Sequence, residues 1–392
     1  MTSAIYLDNN ATTRPADAVV AAMRRVLREH WANPSSMHRP GQAARREILF
    51  ARSAVAALIG CEERELVFTA GGTESVNLAV RGALGAQPNR RVLVTSRLEH
   101  GAVRELAQTL ATLGVEVLWL GNDSDGLVDL EALRIVLAER ADEIGLVSVM
   151  WVNNETGVIQ PIEAIGTACR ESGVRFHTDA TQAVGRMAVD VASLPIDLLS
   201  FSAHKFHGPQ GTGGLYARRG VRLQAQVTGG PQERGRRGGT ENTAGIVGTG
   251  VAGQLAIEWL AGGGPADLAR RRDTLERGIV DGLDRTAVNG VGAPRIAGTS
   301  NIAFIGLEAE AILLMLSERG VCASAGAACS SGSMEPSPVL QAMGLPHEQT
   351  YGSVRFGLSR ETTDDETARA VEIVVDVVTR LHESTRRPMS RR

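Results

Sequence analysis

From residue 66 to residue 217 the chain alternates short apolar runs with helical patterns, and this alternation rules out most fold classes. Residues 66–69, 91–96, 116–120, 145–152, 174–178, 197–202 and 213–217 read as strands, mostly with helical spacing between them. Runs this rich in Val and Leu are buried on both faces, so the segments predict a mainly parallel sheet of seven strands covered by helices. A sheet of that kind keeps its ligands outside the carboxyl ends of its strands. Helical patterns at 16–30 and 42–59 precede the alternating region. A further helix at 242–260 ends at Gly262-Gly263-Gly264-Pro265, the clearest break in composition.

That break predicts two domains in a chain of 392 residues, which is long for one core. The expected division is a large α/β domain at 16–261 and a smaller α+β domain made of 1–15 and 262–392. In the smaller domain, helical patterns at 266–285, 308–319 and 364–383 surround strands near 301–305 and 353–357. Charged residues make up 22% of the chain and the formal charge is −3, which gives no electrostatic case for nucleic acid or an anionic membrane. No run approaches 18 apolar residues, and the N-terminus lacks the charged and apolar regions of a signal peptide, so the expected location is the cytoplasm. The four cysteines, Cys61, Cys169, Cys322 and Cys329, contain no CxxC pair and suggest neither zinc nor a disulfide framework.

Several polar residues fall at strand ends, where chemistry is expected. Lys205 follows the strand 197–202 and precedes a glycine-rich run; it is either a solvated loop lysine or an amine poised to form a Schiff base. Asp179 ends another strand, as a helix cap or as the partner of a protonated pyridine nitrogen. Gly71-Gly72-Thr73 opens a helix, as a turn or as an anion cradle. His100 starts a helix at the same rim and has a pKa suited to proton transfer. His204 and His207 have the spacing of a metal pair but lack a third ligand. Cys329 lies in a run of small residues at 322–336, either an idle linker cysteine or an accessible nucleophile. Arg355 sits in a strand, suited to a carboxylate or to an ion pair.

Together these pieces resemble the cysteine desulfurases of the NifS/IscS type, in the class-V aminotransferase group. The resemblance rests on Tyr6-Leu7-Asp8-Asn9-Asn10-Ala11-Thr12-Thr13, Gly72-Thr73-Glu74-Ser75, Glu99-His100, Val152-Asn153-Asn154-Glu155-Thr156-Gly157, Asp179-Ala180-Thr181-Gln182 and Ser202-Ala203-His204-Lys205. It extends through Glu233 to Asn242 and the Cys329 loop running into Glu335-Pro336-Ser337. Within the family, Asp8-Asn9-Asn10, Met150-Trp151-Val152-Asn153-Asn154-Glu155-Thr156-Gly157 and Arg236-Arg237-Gly238-Gly239-Thr240-Glu241-Asn242 look closer to the nitrogen-fixation NifS branch than to the IscS branch. The family commonly has Ser-Gly-Ser-Ala-Cys-Thr-Ser where this chain has Ala325-Gly326-Ala327-Ala328-Cys329-Ser330-Ser331, and Arg-Ser-Gly-Thr at 237–240. Neither change removes a reacting group.

The resemblance implies a homodimeric fold-type-I enzyme dependent on pyridoxal 5'-phosphate (PLP), taking sulfur from L-cysteine. Lys205 would hold PLP as a Schiff base, Asp179 would face the ring nitrogen and His100 would stack on the ring. Asn154 and Gln182 would contact the ring substituents or the substrate. Gly72, Thr73, Ser202 and His204 would hold the phosphate, with Thr240 reaching the phosphate of the other subunit. Arg355, with Asn154 near it, would take the substrate carboxylate. Cys329 would accept the sulfur as a persulfide and pass it to an acceptor or iron–sulfur scaffold protein. Another reaction on the same fold, such as selenocysteine lyase or an aminotransferase, is the nearest alternative. A non-enzymatic scaffold subunit is a more distant one.

Overall fold

The computed structural model describes residues 4–325 and 336–386. The chain opens with β1 (Ile5–Tyr6), α1 (Asp17–Glu29) and α2 (Arg39–Ile59). The alternating region follows as β2 (Leu66–Thr69), α3 (Gly72–Gly85), β3 (Val92–Ser96), α4 (Gly101–Thr112), β4 (Glu116–Leu120), α5 (Leu130–Arg140), β5 (Ile144–Ser148), α6 (Ile162–Glu171), β6 (Phe176–Asp179), β7 (Leu198–Ser202) and β8 (Gly213–Ala217). Then come α7 (Thr243–Ala261), α8 (Gly264–Gly282), β9 (Thr286–Val288), β10 (Thr299–Phe304), α9 (Ala309–Glu318), β11 (Val321–Cys322), α10 (Pro338–Ala342), α11 (His347–Tyr351), β12 (Ser353–Gly357) and α12 (Asp364–Arg386).

β2 to β8 form one seven-stranded sheet in the order β2-β8-β7-β6-β5-β3-β4. β8 runs antiparallel to both its neighbours and the remaining pairings are parallel. Alternate strand residues serve two cores: Phe68, Val94, Val147 and Leu199 pack on one face, Val67, Leu93, Leu146 and Leu198 on the other. Both faces are covered, which is why the strands read as continuous apolar runs. The strand expected at 145–152 ends at Ser148. Residues 149–151 still lean on β6, through Val149 N to His177 O and Trp151 N to Asp179 O, before Asn153 turns the chain by accepting from the Glu155 and Thr156 amides.

A third core is built from Ile5, Leu7 and residues of 268–378. Its sheet is antiparallel, in the order β12-β10-β9. β1 pairs in parallel with β11, and bridges from Asp8 to Gly357 and from Ser324 to Arg355 tie that pair to β12. The N-terminal strand thus packs with elements more than 300 positions away.

α7 departs from the sequence reading, because its 19 residues are long and apolar enough to cross a membrane. It packs against α1 and α2, more than half of it is buried, and a core helix surrounded by neighbours is apolar all round.

Candidate active site

The carboxyl ends of the strands converge on one rim, and that rim collects the polar residues singled out above. Gly72 and Thr73 follow β2, His100 follows β3, Asn154 follows β5, Asp179 ends β6 with Gln182 just beyond it, and Ser202, His204 and Lys205 close β7.

Lys205 emerges from a single 3-10 turn after β7. Its Nζ donates to the carbonyl oxygens of Asn10 and Ala11 at 2.6 and 2.7 Å. The segment after β1 therefore crosses the rim and holds the lysine. Thr13 fixes the same crossing by donating from its amide and its hydroxyl to His204 O, each at 2.9 Å, while Thr12 Oγ1 lies 3.0 Å from His204 Nδ1. Burial and the neighbouring Lys205 charge push His204 down to about 4, so its ring is neutral at pH 7.

His100 caps α4, its Nδ1 accepting from Ala102 N at 3.1 Å. That bond leaves the ring proton on Nε2. Burial holds its pKa below the usual histidine value; the Asp179 charge opposes this, while Lys205, Arg104 and Arg355 add to it. The same four charges thus surround one imidazole. Asp179, 5% exposed, accepts from Thr181 N through Oδ1 at 3.0 Å in a turn rather than at a helix start. Behind it His177 bridges the Ser148 and Ser200 hydroxyls at 2.8 and 2.9 Å.

Arg355 on β12 donates to Asp8 Oδ1 at 2.8 Å and to Asn154 O at 3.1 Å. Gln182 donates to Asn10 O at 3.0 Å and accepts from Arg186. Thr240 is exposed, and its loop is tied to the first turn of α3 by Arg237 Nε on Glu74 Oε1 at 3.0 Å. Cys329 lies outside the described residues. The residues flanking that segment are fixed beside the site. Ser324 exchanges backbone hydrogen bonds with Arg355, and Ser337 donates to buried Glu155 Oε2 at 2.5 Å. Among the described residues no group of three or more His, Cys, Asp or Glu is arranged to hold a metal ion.

Two residues of the motifs, Asn10 and Glu99, had no role assigned from the sequence. Asn10 joins Lys205, Gln182, Asn154, Arg186 and Thr299. Asn-Asn followed by Thr-Thr in an extended stretch with no helix to cap was the available signal. Glu99 is fully buried and accepts from Met150 N, and burial raises its pKa well above the carboxylate range.

The residues present fit PLP. α3 begins without a side-chain cap, and Gly71 takes a φ of +150°, a backbone that side chains rarely adopt. A Cβ on Gly72 would come within 3.1 Å of Thr181 Oγ1, so only bare backbone makes this turn against Thr181, leaving amides for a phosphate at the positive helix end. Thr181 Oγ1, Thr178 Oγ1 and Asn154 Oδ1 are buried with no hydrogen-bond partner, as expected of groups whose partner is a cofactor or substrate.

Comparison with known proteins agrees with this geometry. The aminotransferase class-V family model matches residues 5–369. Cysteine desulfurase 2 of Trichormus variabilis is 46% identical over 382 residues, covering 97% of this chain and 94% of that protein. Cysteine desulfurase NifS of Azotobacter vinelandii is 44% identical over 378 residues, covering 96% and 93%. A solved NifS-like protein superposes with a TM-score of 0.88 at 32% identity, covering 96% of this chain and 99% of its own. With one family's motifs spread in order over almost the whole length, and its fold and rim reproduced, this chain belongs to the aminotransferase class-V family and, within it, to the cysteine desulfurases.

Proposed function

We propose that the protein is a PLP-dependent cysteine desulfurase that converts L-cysteine to L-alanine and leaves the sulfur as a persulfide on Cys329. The observation that carries this is the convergence on one rim of Lys205, Asp179, His100 and Arg355 with both anchors of the segment containing Cys329. Cys329 is four residues from Ala325, so it lies at most about 14 Å from that anchor.

Lys205 is the residue that would hold PLP, with Asp179 at the ring nitrogen and the α3 amides, Thr73, Ser202 and His204 at the phosphate. Gly72 gives that turn its bare backbone, and Gln182 completes the wall. When bound, PLP supplies an electron sink for cleavage at Cα and Cβ. The chain's own residues do the rest. Arg355 and Asn154 take the substrate carboxylate, which orients the Cα–H bond. Lys205, released to a free amine, takes the Cα proton at Nζ. The Cys329 thiolate attacks the substrate sulfur, the Cβ–S bond breaks, and the new S–S bond leaves a persulfide on the chain. The proton returned to the three-carbon fragment is the one Lys205 holds as an ammonium, with His100 beside it as its carrier.

The protein acts as a homodimer in this reading, with Thr240 reaching the partner subunit's phosphate site. The supporting observation is apolar exposure at the α1–α2 corner: Leu27 64%, Trp31 77%, Met37 95% and Phe50 72%. A sulfur acceptor, an iron–sulfur scaffold protein, then discharges Cys329. The likeness to NifS favours nitrogenase cluster assembly in the cytoplasm as the setting. The proposed domain division is 16–261 for the cofactor-binding part and 1–15 with 262–392 for the part carrying the nucleophile.

The test is to assay alanine and sulfide together, with the visible spectrum, for wild type and Cys329→Ser. With excess dithiothreitol present to reduce the persulfide, wild type should make alanine and sulfide in equal amounts. The variant should keep the PLP band and lose at least about a thousandfold in turnover, as removal of a nucleophile does. Sulfide release that survives the substitution would discard Cys329 as the acceptor.

A further inference from the structure

Lys205 also borders a small cavity of about 20 Å³. Arg186, Arg360, His207 and Lys205 line it on the polar side, Phe206, Trp259, Leu268 and Leu358 on the apolar side. None of His100, Asp179, Asn154, Arg355 or the α3 turn reaches it.

Among the described residues no carboxylate lines this space. Arg186 is 8% exposed and its bonds go only to neutral groups, Gln182 and Asn10 Oδ1. Arg360 is half-buried and makes no hydrogen bond or ion pair among the described residues. The closest acid is Glu361, outside the lining and 47% exposed, whose Oε1 is 3.5 Å from His207 Nδ1. His207 brings no negative charge, and the Arg360 and Arg186 charges help burial to hold it neutral. Arg186 meets only neutral groups and Arg360 is offset only by the partly exposed Glu361, so their positive charge is under-compensated, a cost that an entering anion removes.

Size and lining narrow the ligand. The cavity exceeds the ~10–15 Å³ that one water needs. Half the wall is aromatic or aliphatic, which suits a weakly hydrated, polarizable sphere. We infer that the cavity between Arg186 and Arg360 binds one small monovalent anion of the halide class. Hydrosulfide has the same charge and similar size, so the ion is either a solvent halide or the sulfur product itself. This site does not depend on the desulfurase reading.

The experiment uses PLP-loaded protein, so that the cofactor's own phosphate site is filled. Crystals grown in sodium bromide, measured at the bromine edge, should show one anomalous peak in the cavity. In solution, sodium chloride should raise Tm saturably over sodium gluconate at equal ionic strength, by about 2 °C at ten times half-saturation. Arg360→Gln should lose both the peak and the saturable rise. A rise in anaerobic sodium hydrosulfide at lower concentration than in chloride would assign the ion as the sulfur product; a rise with halides alone would assign a solvent halide. An empty cavity in the bromide crystal, or chloride and gluconate curves that coincide, would overturn the site. If Arg360→Gln fails to fold, the wild-type peak and salt comparison decide the matter. Either failure would leave the alanine and sulfide assay untouched.

Discussion

Glu99 shows how burial sets the chemistry of a single side chain next to the reacting groups. It is inaccessible to solvent, accepts from Met150 N, and its carboxyl is held well above the usual range by burial and then by the Asp179 charge. Burial thus favours the protonated form, which glutamine matches in shape and charge. Glu99→Gln should therefore cost under about 1 kcal/mol in urea unfolding, whereas Glu99→Ala, which strands the Met150 amide and opens a void, should cost about 2–3 kcal/mol. Equal losses from both would mean an ionised Glu99. His177 shows the opposite sign. Burial depresses it to about 4, so between pH 4 and 6.5 the unfolded chain binds a proton that the native chain refuses. Its contribution is complete above pH 6.5 and drains away as the pH falls toward 4. The stability gap between wild type and His177→Asn should accordingly shrink by about 2 kcal/mol from pH 7 to pH 5; a gap independent of pH would show that folding leaves the histidine pKa unshifted, and a gap that widens would show that it is charged in the fold. Lys205, Asp179 and His100 were legible in the sequence because each directly follows or ends an apolar strand, and position on a strand end is local information. Asn10 and Arg186 were not, since Asn10 earns its place through partners 144 to 289 positions away.

At the scale of elements, α7 was read with its limits nearly right, 242–260 against Thr243–Ala261, because both ends carry local signals. Asn242 Oδ1 accepts from Gly245 N at 3.1 Å at one end, and the glycine run stops the helix at the other. Why the helix is so rich in glycine is not a local matter. A Cβ at Gly250 would stand 2.6 Å from Ala51 Cα on α2, so the two backbones approach at a distance that tolerates no side chain. Gly250→Val should force α2 and α7 apart and cost about 1–3 kcal/mol, read as a fall in Tm with the PLP band retained. No loss would mean that the helices part freely. The strands that escaped notice, β9 and β11, have three and two residues, too few for any period to register. β5 and β6 were displaced by two to four residues, since Met150 and Trp151 are as apolar as the strand they leave while the chain turns at Asn153.

The whole molecule presents a mismatch between its well-filled cores and its α1–α2 corner. Trp31 and Met37 flank the turn between the two helices, Leu27 and Phe50 lie on the helices themselves, and all four are largely exposed. The turn is held in place from below, by Arg25 on Glu47 at 2.6 Å and His30 on the same carboxylate at 3.4 Å, so the apolar groups are presented on a rigid base. In the proposed homodimer a second copy of the chain would cover this corner and would also account for the exposed Thr240 loop, which is tied to the first turn of α3 by the Arg237–Glu74 pair yet makes no hydrogen bond through Thr240 among the described residues. Burying two large side chains contributes about 2 kcal/mol each, so Met37→Glu with Phe50→Glu should weaken association by about a thousandfold. Sedimentation at micromolar concentration should then move from twice the 41.5 kDa chain mass to the chain mass itself. Because Thr240 would complete the partner's phosphate site, the monomeric variant should also release PLP on gel filtration, although no residue that would touch the cofactor has been changed. A variant that stays dimeric would move the interface elsewhere, and a monomer that keeps PLP would confine the phosphate site to one chain.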